Sequence, residues 1–233
     1  MMRRLRSLMA IAAALLLASR SMRAQGGDAP TPKPVSFELR VAPTGILGER
    51  NYAFGTAVTA TTGMMTGAEI IARWRYVGLG VRVFSGAFGD SLAGTKFKVV
   101  NGDVSLLAGP REFSAEAGYA KRALLSTTAD QVFTFLRIGA RSTLSVGSTG
   151  LSVTLGYWQY LPQGDNTPRV TSGREAESGL SYDFATMPLY LTVGYRTELF
   201  EISSNPLSGA PTTPEEVRGI RVALGLRFGA KPQ

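Results

Sequence analysis

The sequence has no cysteine and no histidine. Without cysteine there can be no disulfide framework, thiolate metal site or thiol nucleophile, and no residue for the lipid attachment that anchors a lipoprotein. Without histidine the usual neutral-pH general base and the commonest metal ligand are gone. Lysine is scarce: the five are Lys33, Lys96, Lys98, Lys121 and Lys231. Helix periodicity is scarce too, since beyond residue 35 nothing longer than a turn or two keeps an i, i+3, i+4 spacing. Most of the apparent basicity is local. Of the formal charge of +8, Arg3, Arg4, Arg6, Arg20 and Arg23 supply five within 24 residues that hold no acid, leaving 20 basic and 17 acidic side chains. A net +3 on the remainder does not indicate a nucleic-acid partner.

What is present begins with an export signal. A basic start, an apolar run from Leu8 to Ala18 and a small-residue polar stretch follow in the order of a secretory signal peptide. The run is 11 residues long, whereas a membrane-spanning helix needs about 20. Cleavage is expected after Ala24, with Ser21 as a competing site because Met22 is large for its place. Residues 25–34, with Pro30, Pro32 and Pro34, read as an extended leader; residues 35–229 form the folded body and 230–233 a short tail.

The body alternates apolar and polar residues at period two. Ile220, Val222, Leu224, Leu226 and Phe228 share one face against Arg221, Ala223, Gly225 and Arg227. Leu189 to Glu198, Leu151 to Trp158, Leu136 to Arg141 and Ala68 to Arg75 repeat the pattern. A soluble sandwich also alternates, so the kind of polar residue has to decide. Strand-interior charges are Arg, Asp and Glu, while lysines fall in tails, links and strand ends. An enclosed lumen favours arginine, whose planar fork serves several carboxylates at once. Lipid accounts for the charge-free face.

Link lengths support the same conclusion. Strands are expected near 35–44, 67–76, 78–87, 97–108, 111–121, 131–144, 150–161, 176–185, 188–199 and 217–229, with short links alternating with long ones at 45–66, 88–96, 122–130, 162–175 and 200–216. The expected fold is all-β: a closed antiparallel up-and-down transmembrane β-barrel of about ten strands. Eight strands result if 176–185 is loop, and twelve if Asn51 to Thr61 forms its own strand.

The segment Arg221-Val222-Ala223-Leu224-Gly225-Leu226-Arg227-Phe228 resembles the C-terminal strand signal of bacterial outer-membrane β-barrels. That family prefers glycine where this chain has Ala223, and an aromatic as the last residue, where here five residues follow Phe228. The resemblance implies an outer-membrane location, contact with outer-membrane lipids and handling by the barrel-assembly machinery.

Sites for chemistry are few. Glu175 with Glu177, and Glu215 with Glu216, are expected to be solvated acids in or beside loops. Asp165, Glu175 and Glu177 are too loosely spaced for a divalent-cation site. Gly78-Leu79-Gly80 and Gly147-Ser148-Thr149-Gly150 read as turns, because no helix follows either. No catalytic residue, cofactor or metal is assigned. Arg73, Arg82, Glu116, Arg137, Arg141, Asp183, Arg196, Glu198, Arg221 and Arg227 are expected to point inward as a lumen charge network. Trp74 and Tyr76 at one end, Tyr157, Trp158 and Tyr160 at the other, and Phe228 on the closing strand are expected to form two interfacial girdles. The function expected is an integral outer-membrane structural or surface protein, or a very narrow pore. The alternative is a soluble periplasmic β-barrel that binds a lipid or other apolar ligand, with Leu and Val lining its cavity.

Overall fold

A computed structural model describes residues 38–54, 57–89, 96–125, 130–164, 169–203 and 212–228. The expected signal peptide, leader and C-terminal tail lie outside these residues. The described chain is a run of ten strands: β1 (Glu38–Phe54), β2 (Ala57–Trp74), β3 (Val77–Gly89), β4 (Lys96–Ala108), β5 (Phe113–Leu125), β6 (Asp130–Ser145), β7 (Leu151–Gln163), β8 (Arg169–Asp183), β9 (Leu189–Ser203) and β10 (Thr212–Phe228). Each pairs antiparallel with its chain neighbours, and β1 pairs with β10 to close the ring. Closure leaves no open sheet edge, which is the condition for a β-structure to sit in lipid.

The strand number agrees with the sequence reading; the lengths do not. Residues 45–66, expected as a long loop, are mostly strand. Asn51 to Phe54 extend β1 and Ala57 to Thr61 begin β2, with Tyr52 opposite Thr59, so the described residues of this segment form no separate strand pair. Residues 176–183 belong to a β8 that begins at Arg169, so there is no eight-strand arrangement. The reason is physical. Strands that continue past a membrane are hydrated outside, so period-two contrast fades there while the ladder persists. Ser172 and Arg174 of β8 are half-exposed and exposed polar residues of this kind. Gly78 and Gly80 also lie inside β3, paired with Arg73 and Ser105, and not in a turn. Gly147 and Gly150 do occupy a turn, at φ +57° and +78°.

The outward face carries a belt of exposed aliphatics, among them Leu79, Val83, Leu106, Ile138, Leu155, Leu180, Val193, Ile220, Val222 and Leu224. From Ile220 to Phe228 the outward positions of β10 are all apolar, a rise of about 20 Å for strands tilted near 40°. Outward charges flank the belt on its loop side: Glu49 on β1, Lys98 on β4, Lys121 on β5, Arg174 on β8 and Arg218 on β10.

The interior has two parts. Toward the loop-side end, Phe84, Phe88, Phe133, Phe135 and Phe200 pack with Val99, Leu124, Val170 and Val217 as a buried apolar cluster inside the ring. The Phe135 and Phe200 rings lie 5.5 Å apart, and Tyr160 completes the group at 5.5 Å from Phe135 and 5.3 Å from Phe200. Glycine makes room for this cluster. Gly67 stands opposite Phe84 in the β2–β3 register, and a Cβ there would come within 1.9 Å of the Val83 carbonyl oxygen and 2.6 Å of the Phe84 ring. Most of the lumen's charged groups lie below the aromatics, while Arg122, over the Phe200 ring at 4.4 Å, and Glu215, opposite Phe200 in register, stand among them.

Leu224→Arg, at the centre of the outward row of β10, is therefore expected to cost about 2–4 kcal/mol of folding free energy in bilayers. Thr197→Arg, outward and opposite Arg218 at the rim, is expected to cost about 0–1 kcal/mol. Urea titration of the barrel in phospholipid vesicles measures both, and equal costs would mean that the belt is misplaced.

Candidate functional site: the charged lumen

The period-two alternation that turns aliphatics outward turns every second residue inward, and on eight strands those residues include arginine or a carboxylate. Arg82 on β3 is held by two acids. Its Nε donates to Asp103 Oδ2 of β4 at 2.9 Å, while Nη1 and Nη2 donate to the two oxygens of Glu175 on β8 at 2.8 and 3.1 Å. In a ring of ten, β3 and β8 are diametrically opposite. The forked bond thus crosses the barrel. Arg122 on β5 repeats this toward β10, donating to Glu215 Oε1 at 2.8 Å and also to Glu198 Oε2 of β9 at 2.7 Å. Asn101 on β4 bridges to Glu198 on the opposing β9 at 3.1 Å.

Around these struts the remaining charges close a network. Arg196 reaches Glu175 at 3.3 Å and donates to Glu198 at 2.5 Å. Arg137 donates to Glu116 at 3.1 Å and lies 3.5 Å from Glu175. Arg141 donates to Glu69 at 2.9 Å and lies 3.3 Å from Glu116. Arg221 joins Glu69, at 2.5 Å, to Glu177. Nearer the short turns, Asp183 pairs with Arg227 and with Arg111 at 3.6 Å, and Arg73 Nη1 donates to the Gly109 carbonyl at 2.8 Å. Among the described side chains, and leaving aside Arg111, which belongs to the turn, eight inward arginines meet eight inward carboxylates. Burying ions costs several kcal/mol each unless they are paired and hydrogen-bonded, so near neutrality is what lets this interior exist.

Trp158 sits at the centre, fully buried. Its Nε1 donates to Glu116 Oε2 at 2.8 Å, Arg137 lies over its ring at 4.2 Å, and Arg82 and Arg141 flank it at 5.4 Å each. Tyr160 donates its hydroxyl to Glu175 Oε2 at 2.5 Å. One void among Glu69, Arg82, Ser105, Glu116 and Arg141 has room for a single water, about 10 Å³.

The structure places all ten of the expected lumen residues, Arg73, Arg82, Glu116, Arg137, Arg141, Asp183, Arg196, Glu198, Arg221 and Arg227, on the inward side. It adds Glu69, Asp103, Arg122, Glu175, Glu177 and Glu215, which sequence reasoning did not assign there. Glu175, Glu177 and Glu215, expected as solvated acids, are buried in the network. They were readable by parity alone. Glu175 and Glu177 share the face of Ser181, and Glu215 that of Arg221, once β8 and β10 are allowed to run past the belt. Asp165 lies outside the described residues, and Glu175 and Glu177 turn to arginines.

The girdle reading needs correction. Trp74, Tyr76 and Phe228 are exposed at the short-turn end. Tyr157 is outward and half-buried in mid-strand, while Trp158 and Tyr160 point into the lumen. Trp158 and Tyr160 have even numbers on a strand whose even positions face inward, and each finds a carboxylate for its polar atom. A second girdle is therefore not built at 157–160.

A closed ring with an aliphatic exterior and an ionic interior is the architecture of an outer-membrane β-barrel. No family model matches the chain, and no curated protein matches it. Among solved structures it is similar to the translocator domain of autotransporter NalP from Neisseria meningitidis, at 13% identity over 95% of this chain and 98% of that one, with a TM-score of 0.39. It is also similar to the transport unit of the autotransporter AIDA-I from Escherichia coli, at 8% identity over 96% and 98%, with a TM-score of 0.37. Neisserial surface protein A gives 11% identity over 84% and 97%, with a TM-score of 0.36. The class rests on the chain's own strand ring and on the polarity of its two faces.

Glu175→Gln leaves Arg82, Arg137 and Arg196 around a neutral amide, and removing one partner of a buried ionic group costs about 3–5 kcal/mol. The expected outcome is a folded barrel that unfolds at markedly lower urea, with Trp158 emission shifted to the red. Glu49→Gln, which breaks the exposed rim pair with Arg218, should leave the midpoint where it was.

Proposed function

We propose that the chain is an integral outer-membrane protein whose barrel is a filled, non-conducting support for the surface it presents at its loop-side end. One observation carries this reading: arginines and carboxylates from opposite walls meet across the lumen, Arg82 with Glu175 and, among the packed phenylalanines, Arg122 with Glu215. A narrow pore would have to separate these groups and rehydrate them. The ionic layer and the aromatic layer would both have to open, so replacing charges alone would not create a path.

The soluble carrier of an apolar ligand is the less favoured reading. It requires Leu and Val around a cavity, whereas here they point outward and the interior is filled. A soluble protein exposing this many aliphatics in one continuous belt would aggregate. The absence of histidine, together with carboxylates engaged by arginine, argues for a role without catalysis.

The test is a planar-bilayer recording of the purified, heat-modifiable protein. The expected result is a silent bilayer for the wild type and for Glu175→Gln. Stable unitary steps from the wild type would overturn the filled-barrel reading. Recovery of the protein only in the soluble periplasmic fraction would overturn the membrane reading itself.

A further inference from the structure

Arginine and lysine occupy different places in this barrel. Arginine fills the lumen, while three of the five lysines stand at the loop-side end of two adjacent strands: Lys96 and Lys98 on β4, and Lys121 on β5. The Lys98 and Lys121 side chains are exposed on the outward face. In the β4–β5 register Lys121 stands opposite Gly102 and Lys98 opposite Leu125, so four residues of strand, about 13 Å, separate them. Between them lies the outward pair Val100 and Ala123. Ser85 of β3 pairs with Val100, and Thr134 of β6 with Lys121, so outward hydroxyls stand on both sides. Directly toward the belt, Val83, Val104, Leu106 and Tyr119 offer exposed apolar surface.

The charges near these lysines are not balanced as they are elsewhere on the rim. Among the side chains described on the outward faces of β3 to β6 there is no carboxylate; the first acid in register is Asp130, at the outermost position of β6 and two strands from Lys98. On the far side of the ring the rim is mixed, with Glu49 paired to Arg218 at 3.1 Å and with Glu201, Glu216 and Arg174 nearby. Two ammonium groups above apolar wall and beside hydroxyls match a ligand that carries phosphate at its head and acyl chains below it. Lys121, the one closer to the belt, can extend its stem upward so that its ammonium approaches that of Lys98.

We propose that the outer rim of β4 and β5 is a binding site for a phosphorylated, acylated lipid of the surrounding leaflet, with Lys98 and Lys121 holding the headgroup phosphate and the acyl chains lying along Val83, Val104, Leu106 and Tyr119. This rests on the membrane reading above. The occupant is a lipid and not free phosphate, because the apolar surface below the lysines belongs to the same patch.

The test uses the full chain folded in a neutral detergent, with native mass spectrometry to count retained bisphosphorylated lipid A, phosphatidylcholine as the zwitterionic control, and inorganic phosphate as the free-anion control. The wild type should retain lipid A over phosphatidylcholine. Lys98→Gln with Lys121→Gln should lower lipid A retention about tenfold or more. Arg174→Gln with Arg218→Gln, on the other side of the ring, should leave it unchanged. Equal retention by the two double variants overturns the proposal, as does absence of selective retention by the wild type. Displacement of the lipid by millimolar inorganic phosphate overturns it in favour of a free-anion site. Heat-modifiable gel mobility, recorded on every sample, separates the two levels: a folded barrel without selective retention fails this proposal alone, and a chain recovered only in soluble form fails the membrane reading.

Discussion

Everything inside this barrel depends on arginine meeting carboxylate in a space with almost no water. An unpaired ion there would be too costly to keep, and a paired one is tolerable only when its remaining donors and acceptors are also engaged. The guanidinium of Arg82 meets that demand, because its Nε, Nη1 and Nη2 all donate and one group addresses two acids in fixed directions. Arg82 touches Asp103 and Glu175, and Arg122 touches Glu198 and Glu215. Lysine, a point charge on a flexible stem, could not hold four oxygens of two acids in one plane. The exclusion of lysine from the lumen and the filling of the lumen are consequences of the same geometry.

Neutrality alone would not make the interior solid; volume has to be matched as well. Large inward rings are set against inward glycines on the next strand, as Trp158 is against Gly139 and Tyr190 against Gly225. At Gly139 a Cβ would lie 2.4 Å from the Trp158 ring, so the ring occupies the space a side chain would have taken. The ring then shields the ion pairs: Trp158 lies between Arg137, Arg82 and Arg141 and lends its own Nε1–H to Glu116. Packing and electrostatics reinforce each other here, because excluding water strengthens each ionic contact and the ionic contacts fix the rings.

The fold was largely legible in the sequence because two environments act on one ladder, and each leaves a residue type behind on alternate positions. Leu224 against Arg221 and Arg227, or Val193 against Arg196, needs no structure to interpret. Legibility failed where one environment changed along a strand. Beyond the belt the outward positions of β8 become Ser172 and Arg174, so Glu175 lost the apolar partners that would have marked it as inward and read as a loop acid. It failed again where the inward face became apolar. Phe84 and Phe88 share parity with Arg82, and Phe133 and Phe135 with Arg137, yet an aromatic on the polar face does not announce itself as a plug. Tyr160 was misread for a related reason: aromaticity near a strand end suggested an interface, while parity, the stronger constraint, placed it beside Glu175. Across the lumen nothing in the sequence pairs β3 with β8 or β5 with β10; those contacts come from the ring having ten members.

A filled barrel moves selectivity to its ends and its outer wall. With opposite walls bonded to each other, a side chain in the lumen cannot turn toward a passing solute without abandoning a partner, so the interior is a fixed load and not a variable surface. Strands β8, β9, β10, β1 and β2 continue above the outward charges, so the ring does not end at one height and presents extra backbone-supported surface on one side. The opposing β4–β5 wall has instead an outward pair of lysines and little to neutralise them. Charge along the rim is thus distributed by side, whereas charge in the lumen is balanced in place. The lumen's composition is set by the need for neutrality, which any such filled barrel shares. The rim is not held to that requirement, so its unbalanced stretch is where this chain has chemistry to offer to what surrounds it.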